Sequence, residues 1–271
     1  MLLLASGCSS GFVYNRLDTF ASWYFESLVS LNDGQRTELR AWLERTLNWH
    51  RQSELTRYAT FLSDVATTIA HPGDRTTYES IRQRFEGLVT DLLAKTAPEA
   101  SELLLRLSPQ QVNELLENLA EKTRESTEES ATAVATNKWQ PKQTKDFTRQ
   151  LKKWTGSVSP EQRRIIEKHV RQLEPTYSEW AESQQAWRDA LRETLTGGVT
   201  PKTDVPRRVL VLIEDPNRQW TQAYSLKVER NRERYMELFG ELDASLSARQ
   251  RTHLRAELTK LSQQLTALAR G

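Results

Sequence analysis

Val158-Ser159-Pro160-Glu161-Gln162 begins a helix, and the same phrase returns three more times in the chain. Leu107-Ser108-Pro109-Gln110-Gln111 is a second copy, Leu246-Ser247-Ala248-Arg249-Gln250 a third, and Leu31-Asn32-Asp33-Gly34-Gln35 a looser fourth. In each, Ser or Asn stands three residues before Gln, which is the spacing of a capping box. The short side chain accepts from the amide of the third helical residue, and the Gln reaches back to the amide of the cap. Proline at the first helical position suits two of the copies, because its missing N–H would have had no partner there. Apolar residues recur four and eight positions after each Gln: Leu39 and Leu43, Leu115 and Leu119, Ile166 and Val170, Leu254 and Leu258. Each box therefore launches an amphipathic helix in the same phase.

The rest of the composition agrees. Across 271 residues there are only 10 Gly and 9 Pro, against abundant Leu, Ala, Glu, Arg and Gln. Strong helix formers with few breakers specify an all-α protein without a β-sheet. The caps at 32, 108, 159 and 247 are unequally spaced, which argues against a regular solenoid and for an irregular antiparallel multi-helix assembly.

Between the boxes, helical spacing runs from the first cap to about Ala70, where His71-Pro72-Gly73-Asp74 stops it. Thr76 to Lys95 is a further helix, and Pro98 starts a short one through Leu105. Thr123 to Lys138 has few apolar anchors and reads as an exposed helix or a loose link. Trp139 to Trp154 is helical. The helix after the third box meets Pro175, which bends or breaks it. Another runs to Leu195 and stops at Gly197-Gly198. Val199 to Pro206 is a loop, and Val209 to Ile213 is a buried helix turn rather than a strand, there being no partner strand. Asp215-Pro216 opens a helix through Phe239. At the other end, Gly11 to Ser30 is apolar all round and is expected to be packed.

Leu2-Leu3-Leu4-Ala5-Ser6-Gly7 ahead of Cys8, the lone cysteine, resembles a bacterial lipobox, in which the cysteine thiol carries diacylglycerol. Residues 1–8 would then be the remainder of a signal and 9–271 a single helical domain facing the periplasm. The run is shorter than a usual signal h-region and lacks a charged start, so the leader is expected to begin further upstream. Ser9 after the cysteine implies sorting to the outer membrane by analogy with known lipoproteins. A solitary thiol consumed by lipid suits an oxidising compartment. No segment has the roughly 20 consecutive apolar residues needed to cross a bilayer.

Sites for chemistry are scarce. There is no Gly-rich phosphate loop and no Gly-x-Ser-x-Gly elbow. His50, His71, His169 and His253 lie far apart in the chain, with no His-Glu-x-x-His pattern, so no metal or cofactor is expected. No enzymatic activity and no small-molecule substrate follow. The formal charge is +2, and no basic run stands out, so nucleic acid is not expected as a partner. Trp49, His50, Arg51, Glu54, Arg57 and Tyr58 share about three turns of one helix. They form either a surface ion pair flanked by packed aromatics or a contact patch for a partner, with His50–Glu54 and Glu54–Tyr58 in i,i+4 reach.

Tyr14-Asn15-Arg16-Leu17-Asp18, the first box, Trp49-His50-Arg51 with Glu54-Leu55 and Arg57-Tyr58, Ser159 to Arg163, Arg230-Asn231-Arg232 and the last box together resemble a family of bacterial lipoproteins known as domain of unknown function 6279. Thr56 stands where the family pattern has Pro. The resemblance implies an anchored, helical cell-envelope protein and no activity. The boxes are also similar to the Leu-Thr-x-x-Gln helix starts of Spy/CpxP-type periplasmic chaperones, with Ser or Asn in place of Thr. The expectation is an outer-membrane-anchored helical protein that binds envelope proteins. The alternative is a structural or peptidoglycan-associated envelope lipoprotein.

Overall fold

A computed structural model describes Tyr14, residues 16–197 and residues 203–270. Its helices are α1 (Leu17–Glu26), α2 (Asp33–Trp49), a π-helical turn (His50–Glu54), α3 (Leu55–Thr68), α4 (Arg75–Leu105), α5 (Pro109–Ala135) and α6 (Trp139–Thr155). They continue with α7 (Pro160–Val170), α8 (Tyr177–Thr196), α9 (Val205–Glu214), a 3-10 turn (Pro216–Gln219), α10 (Gln222–Ala244) and α11 (Ala248–Ala269). Among the described residues there is no strand, and the chain is all-α.

All four boxes form. Asn32, Ser108, Ser159 and Ser247 are extended N-cap residues, and each accepts the amide of its Gln at 2.9–3.2 Å. Asp74 and Thr221 cap α4 and α10 in the same manner without a returning Gln. Gly156 closes α6 in the left-handed region at φ +76°, where a residue with a Cβ is strained.

The box helices are built in two similar halves. In 17–135 the order is helix, box, interrupted helix, helix, box, helix. In 139–269 the order is the same, with α9 and α10 standing where the first half has α4. The first box helix is interrupted by the π turn between α2 and α3. The third is broken between α7 and α8. The distal part of each packs on the second box helix of the opposite half, α3 on α11 and α8 on α5. Ala66, Ile69 and Leu258 make one of these contacts, with Leu62, Trp154 and Leu254 around them. Val112, Leu116, Leu191, Val209 and Leu212 form a buried cluster at the other, where α9 also packs. The two halves thus exchange helices and share their cores.

Several boundaries differ from those read in the sequence. Pro98 does not begin a new helix: α4 runs through it unbroken. Ala97 and Ser101 are buried beside it, Ala100 and Leu103 pack on Leu39, Trp42 and Leu43, and this packing outweighs the lost amide. Residues 123–135 are no loose link but the continuation of α5. Thr123 is buried there, and its hydroxyl accepts from Arg188 of α8 at 2.9 Å. Pro175 breaks its helix outright. The buried Asn231 of α10 bridges the gap, accepting from the amide of Glu174 at 2.9 Å and donating to its carbonyl at 2.8 Å. Pro206 sits in the first turn of α9 rather than in a loop, and residues 198–202 of that loop lie outside the described residues. Pro216 starts only a 3-10 turn, and the long helix begins after Thr221.

α1 also departs from expectation. Ala21 and Phe25 pack against Leu39, Trp42 and Leu43, but Phe20, Trp23 and Tyr24 are 53%, 71% and 45% exposed. The helix is packed on one side only.

Candidate functional site

The Gln of every box does more than close its own helix. Gln35 and Gln111 face each other, and so do Gln162 and Gln250. In each pair the two carboxamides exchange hydrogen bonds: 3.0 and 2.7 Å in the first, 3.1 and 2.9 Å in the second. Each side-chain NH₂ also donates to the carbonyl two residues before the partner's cap. Those acceptors are Arg106 and Ser30 in the first pair, Ser245 and Ser157 in the second. Each Oε1 additionally accepts from its own cap amide at 2.9–3.0 Å. Every Gln thereby makes two donations and two acceptances, the full capacity of a carboxamide. Glutamate would close a lone capping box equally well. Only glutamine can also donate to the opposite box. The second clasp is buried, with Gln162 fully enclosed, and the first is half-buried.

At the end of α2 the helix widens. The amide of Leu55 reaches back five residues to the carbonyl of His50, which defines the π turn. The turn changes the face that the helix presents. Leu39, Trp42 and Leu43 pack on α1 and α4, whereas beyond the turn Ala66 and Ile69 pack on α11. It also carries Glu54 inward, where it is 2% exposed. Arg57 Nη1 donates to both Glu54 oxygens at 3.0 Å, and Nη2 reaches Asp91 of α4. Arg57, three residues on, is the hydrogen-bond partner of Glu54, rather than His50 or Tyr58 at i,i+4. π turns are frequent at functional sites, because the inserted residue re-aims side chains.

The six residues singled out in the sequence do come together, and most already have partners. The hydroxyl of Tyr14 and Nδ1 of His50 share a hydrogen bond of 2.8 Å, with the rings stacked at 5.9 Å. Arg51 lies over the Tyr14 ring at 5.0 Å, and Tyr58 meets His50 edge-on at 5.4 Å. Lys95 of α4 sits over Trp49 at 5.8 Å. Burial lowers the pKa of His50, opposed by the nearby Glu54 carboxylate. Burial first and Glu54 second push the Tyr58 hydroxyl up to about 12. Burial also raises Tyr14, against the attraction of Arg51. The cluster clamps the start of the described chain onto α2, leaving Arg57 as its exposed member. Tyr14, Asp91 and Lys95 were not among the residues read as the patch. Nothing local marks Asp91 or Lys95, which arrive through the packing of α4.

Cys8 and the apolar run before it, read in the sequence as a lipobox, lie outside the described residues. Among the described residues, no three His, Cys, Asp or Glu side chains are placed to hold a metal ion, and no helix is long and apolar enough to cross a membrane. His169 is enclosed in the core beside Ile166 and Val170, with Nε2 3.1 Å from Glu241 Oε1.

Fold and site define an all-helical protein whose box helices are clasped in two pairs by glutamine carboxamides. The chain belongs to a family of unknown function, DUF6279, whose model matches residues 27–225. That span holds the first three boxes, the π turn and its polar cluster except Tyr14. Tyr14 to Asp18, Arg230 to Arg232 and the fourth box fall outside it, so their likeness to the family rests on those motifs alone. No curated protein and no solved structure matches the chain.

Proposed function

We propose that this is a lipoprotein anchored through Cys8 to the periplasmic face of the outer membrane, and that it binds other envelope proteins as a chaperone or assembly factor without catalysing a reaction. The observation that carries the reading is the bare aromatic side of α1. Phe20, Trp23 and Tyr24 stand exposed on a helix that begins nine residues after the lipobox cysteine. Trp and Tyr rings favour the headgroup level of a bilayer, with the apolar body inward and the polar edge toward water. A lipid chain gains firm attachment from a second membrane contact, and this face would supply it. The clasped helices support a scaffold role, since their polar groups are spent on one another.

The test expresses the chain behind a full lipoprotein signal sequence. The chain should incorporate labelled palmitate and fractionate with outer membranes, and Cys8→Ala should abolish both. In-cell crosslinking followed by mass spectrometry should then recover envelope proteins. Continued palmitate labelling of the Cys8→Ala protein would overturn the anchor, and the absence of any crosslinked envelope protein would overturn the binding role.

A further inference from the structure

Many cations of this protein are spent on carboxylates. Arg45, Arg57, Arg75, Arg82, Arg106, Arg124 and Arg230 all have ion-pair partners. Others are not, and one groove gathers several of these. Between α6 and α7 runs an open groove of about 840 Å³, lined by Lys145, Arg149 and Lys152 on one side and by Arg163 and Arg171 on the other. All five are exposed, and Glu167 is the one carboxylate in the lining. Among the described residues, Lys145, Lys152 and Arg163 make no ion pair. Arg149 is paired with Asp146, and Arg171 donates only to the Glu167 carbonyl. Five cations against Glu167 and the Asp146 paired with Arg149, on a chain whose formal charge is +2, is a concentrated positive field.

The sequence hides this grouping. Lys145, Arg149 and Lys152 are interleaved with Gln, Asp and Thr, and the second row belongs to another helix beyond the third box. Helical spacing lines up the first three along about 10 Å of α6, and the box turns α7 back so that Arg163 and Arg171 face them. The floor between the rows is less polar: the exposed Pro141 ring forms it with Thr144 and Thr148, above the enclosed Val170.

We propose that the α6/α7 groove is a docking site for an acidic polypeptide segment, with apolar side chains on the floor and carboxylates against the two cationic rows. The inference rests on the protein-binding reading above and gives the partner its chemistry. Two rows of cations flanking a floor of Pro141 and two threonines match an acidic segment, with some apolar side chains, laid in a groove. A nucleic acid strand would call for aromatic platforms on which bases stack, and the lining has none. A single phosphate headgroup would leave most of the groove empty.

The experiment titrates the full chain with a fluorescein-labelled amphipathic peptide made of Glu and Leu at helical spacing, read by anisotropy. Inorganic phosphate, phosphatidylglycerol vesicles and purified sacculi are run in parallel. The peptide should bind, more weakly as salt rises. The triple variant Lys145→Gln, Lys152→Gln, Arg163→Gln should bind it at least about tenfold more weakly, in line with the cost of removing interfacial charges. Lys260→Gln, an exposed change on α11, should leave binding as it was. All three substitutions are on the surface, and an unchanged circular dichroism spectrum and melting point will establish that the triple variant folds. Equal affinity of the triple variant, or binding to vesicles, sacculi or phosphate without binding to peptide, overturns the proposal. If in-cell crosslinks to envelope proteins persist in the triple variant while its peptide affinity is also unchanged, the groove is wrong and the wider binding role stands.

Discussion

The carboxamides of Gln162 and Gln250, 88 residues apart in the chain, donate to each other at 3.1 and 2.9 Å while each also caps its own helix. One side chain thus serves two scales of structure. It satisfies an amide at the start of its helix, and it fixes which other helix start lies opposite. An unpaired buried polar group costs roughly 1–3 kcal/mol, so alternative pairings of the four helix starts are penalised at every clasp. The same arrangement at Gln35 and Gln111 gives the two halves a common joint.

Replacing an amide by a carboxylate separates the two roles. Gln162→Glu keeps the capping acceptor but loses both donations, to Gln250 and to the Ser245 carbonyl, and puts an acid into a fully buried site. We expect a loss of about 3 kcal/mol or more in urea unfolding at neutral pH. Gln35→Glu, at the half-buried clasp, should cost less. Equal and small losses at both positions would show that the clasps do not contribute in this way.

Asp243 and Arg251 form a buried ion pair at 2.7 Å that joins three helices. Arg251 also donates to the Ile69 and Asp243 carbonyls, and Asp243 accepts from the Gly73 amide at 2.9 Å and the Tyr78 hydroxyl at 2.6 Å. Burial and that carboxylate together hold the Tyr78 hydroxyl well above its ordinary value. Arg251→Met leaves Asp243 without its countercharge and should cost about 3–5 kcal/mol. Thermal denaturation of the two proteins side by side measures it.

Acid should loosen the clamp on Tyr14. Burial lowers the pKa of His50 below its usual value near 6.5, so the folded state favours the neutral ring. The sign follows: this contribution is present above the unfolded value and is lost as pH falls through the depressed folded value. Chemical denaturation from pH 7 to 5 should show a drop in wild-type stability that His50→Gln does not share. NMR titration of the imidazole should find its midpoint below 6.5. A midpoint above that value would contradict the burial argument.

Pro98 offers a change in the other direction. It is exposed in the middle of α4, and its ring interrupts the ladder at the carbonyl of Ala94. Pro98→Ala restores that hydrogen bond without disturbing the buried Ala97 and Ser101. Stability should rise by roughly 1–3 kcal/mol, read as a higher midpoint in urea.

How much of this was legible beforehand varies from residue to residue. The four Ser/Asn and Gln pairs are local signals, since a cap and the amide it serves are three residues apart in any context. They mark helix starts correctly, and the helix class follows from the composition. Trp49 to Tyr58 could be read as one cluster because they share a helix. Its outcome could not be read, because Glu54 is buried and pairs with Arg57, and Tyr14, Asp91 and Lys95 arrive from elsewhere. The α6/α7 groove is legible only once the third box has turned one helix back on the other.

The sequence by itself determined where the four boxed helices start, because capping is a contact between near neighbours and needs nothing from the rest of the chain. Tertiary structure decided how far they run and what they face. Pro98 and residues 123–135 stay helical because buried neighbours outweigh weak local preference, and Pro175 ends its helix where Asn231 can bond the freed backbone. It also decided that Gln35 meets Gln111 and Gln162 meets Gln250. A carboxamide has two donations and two acceptances to place, and only another box, brought opposite by packing, satisfies them all.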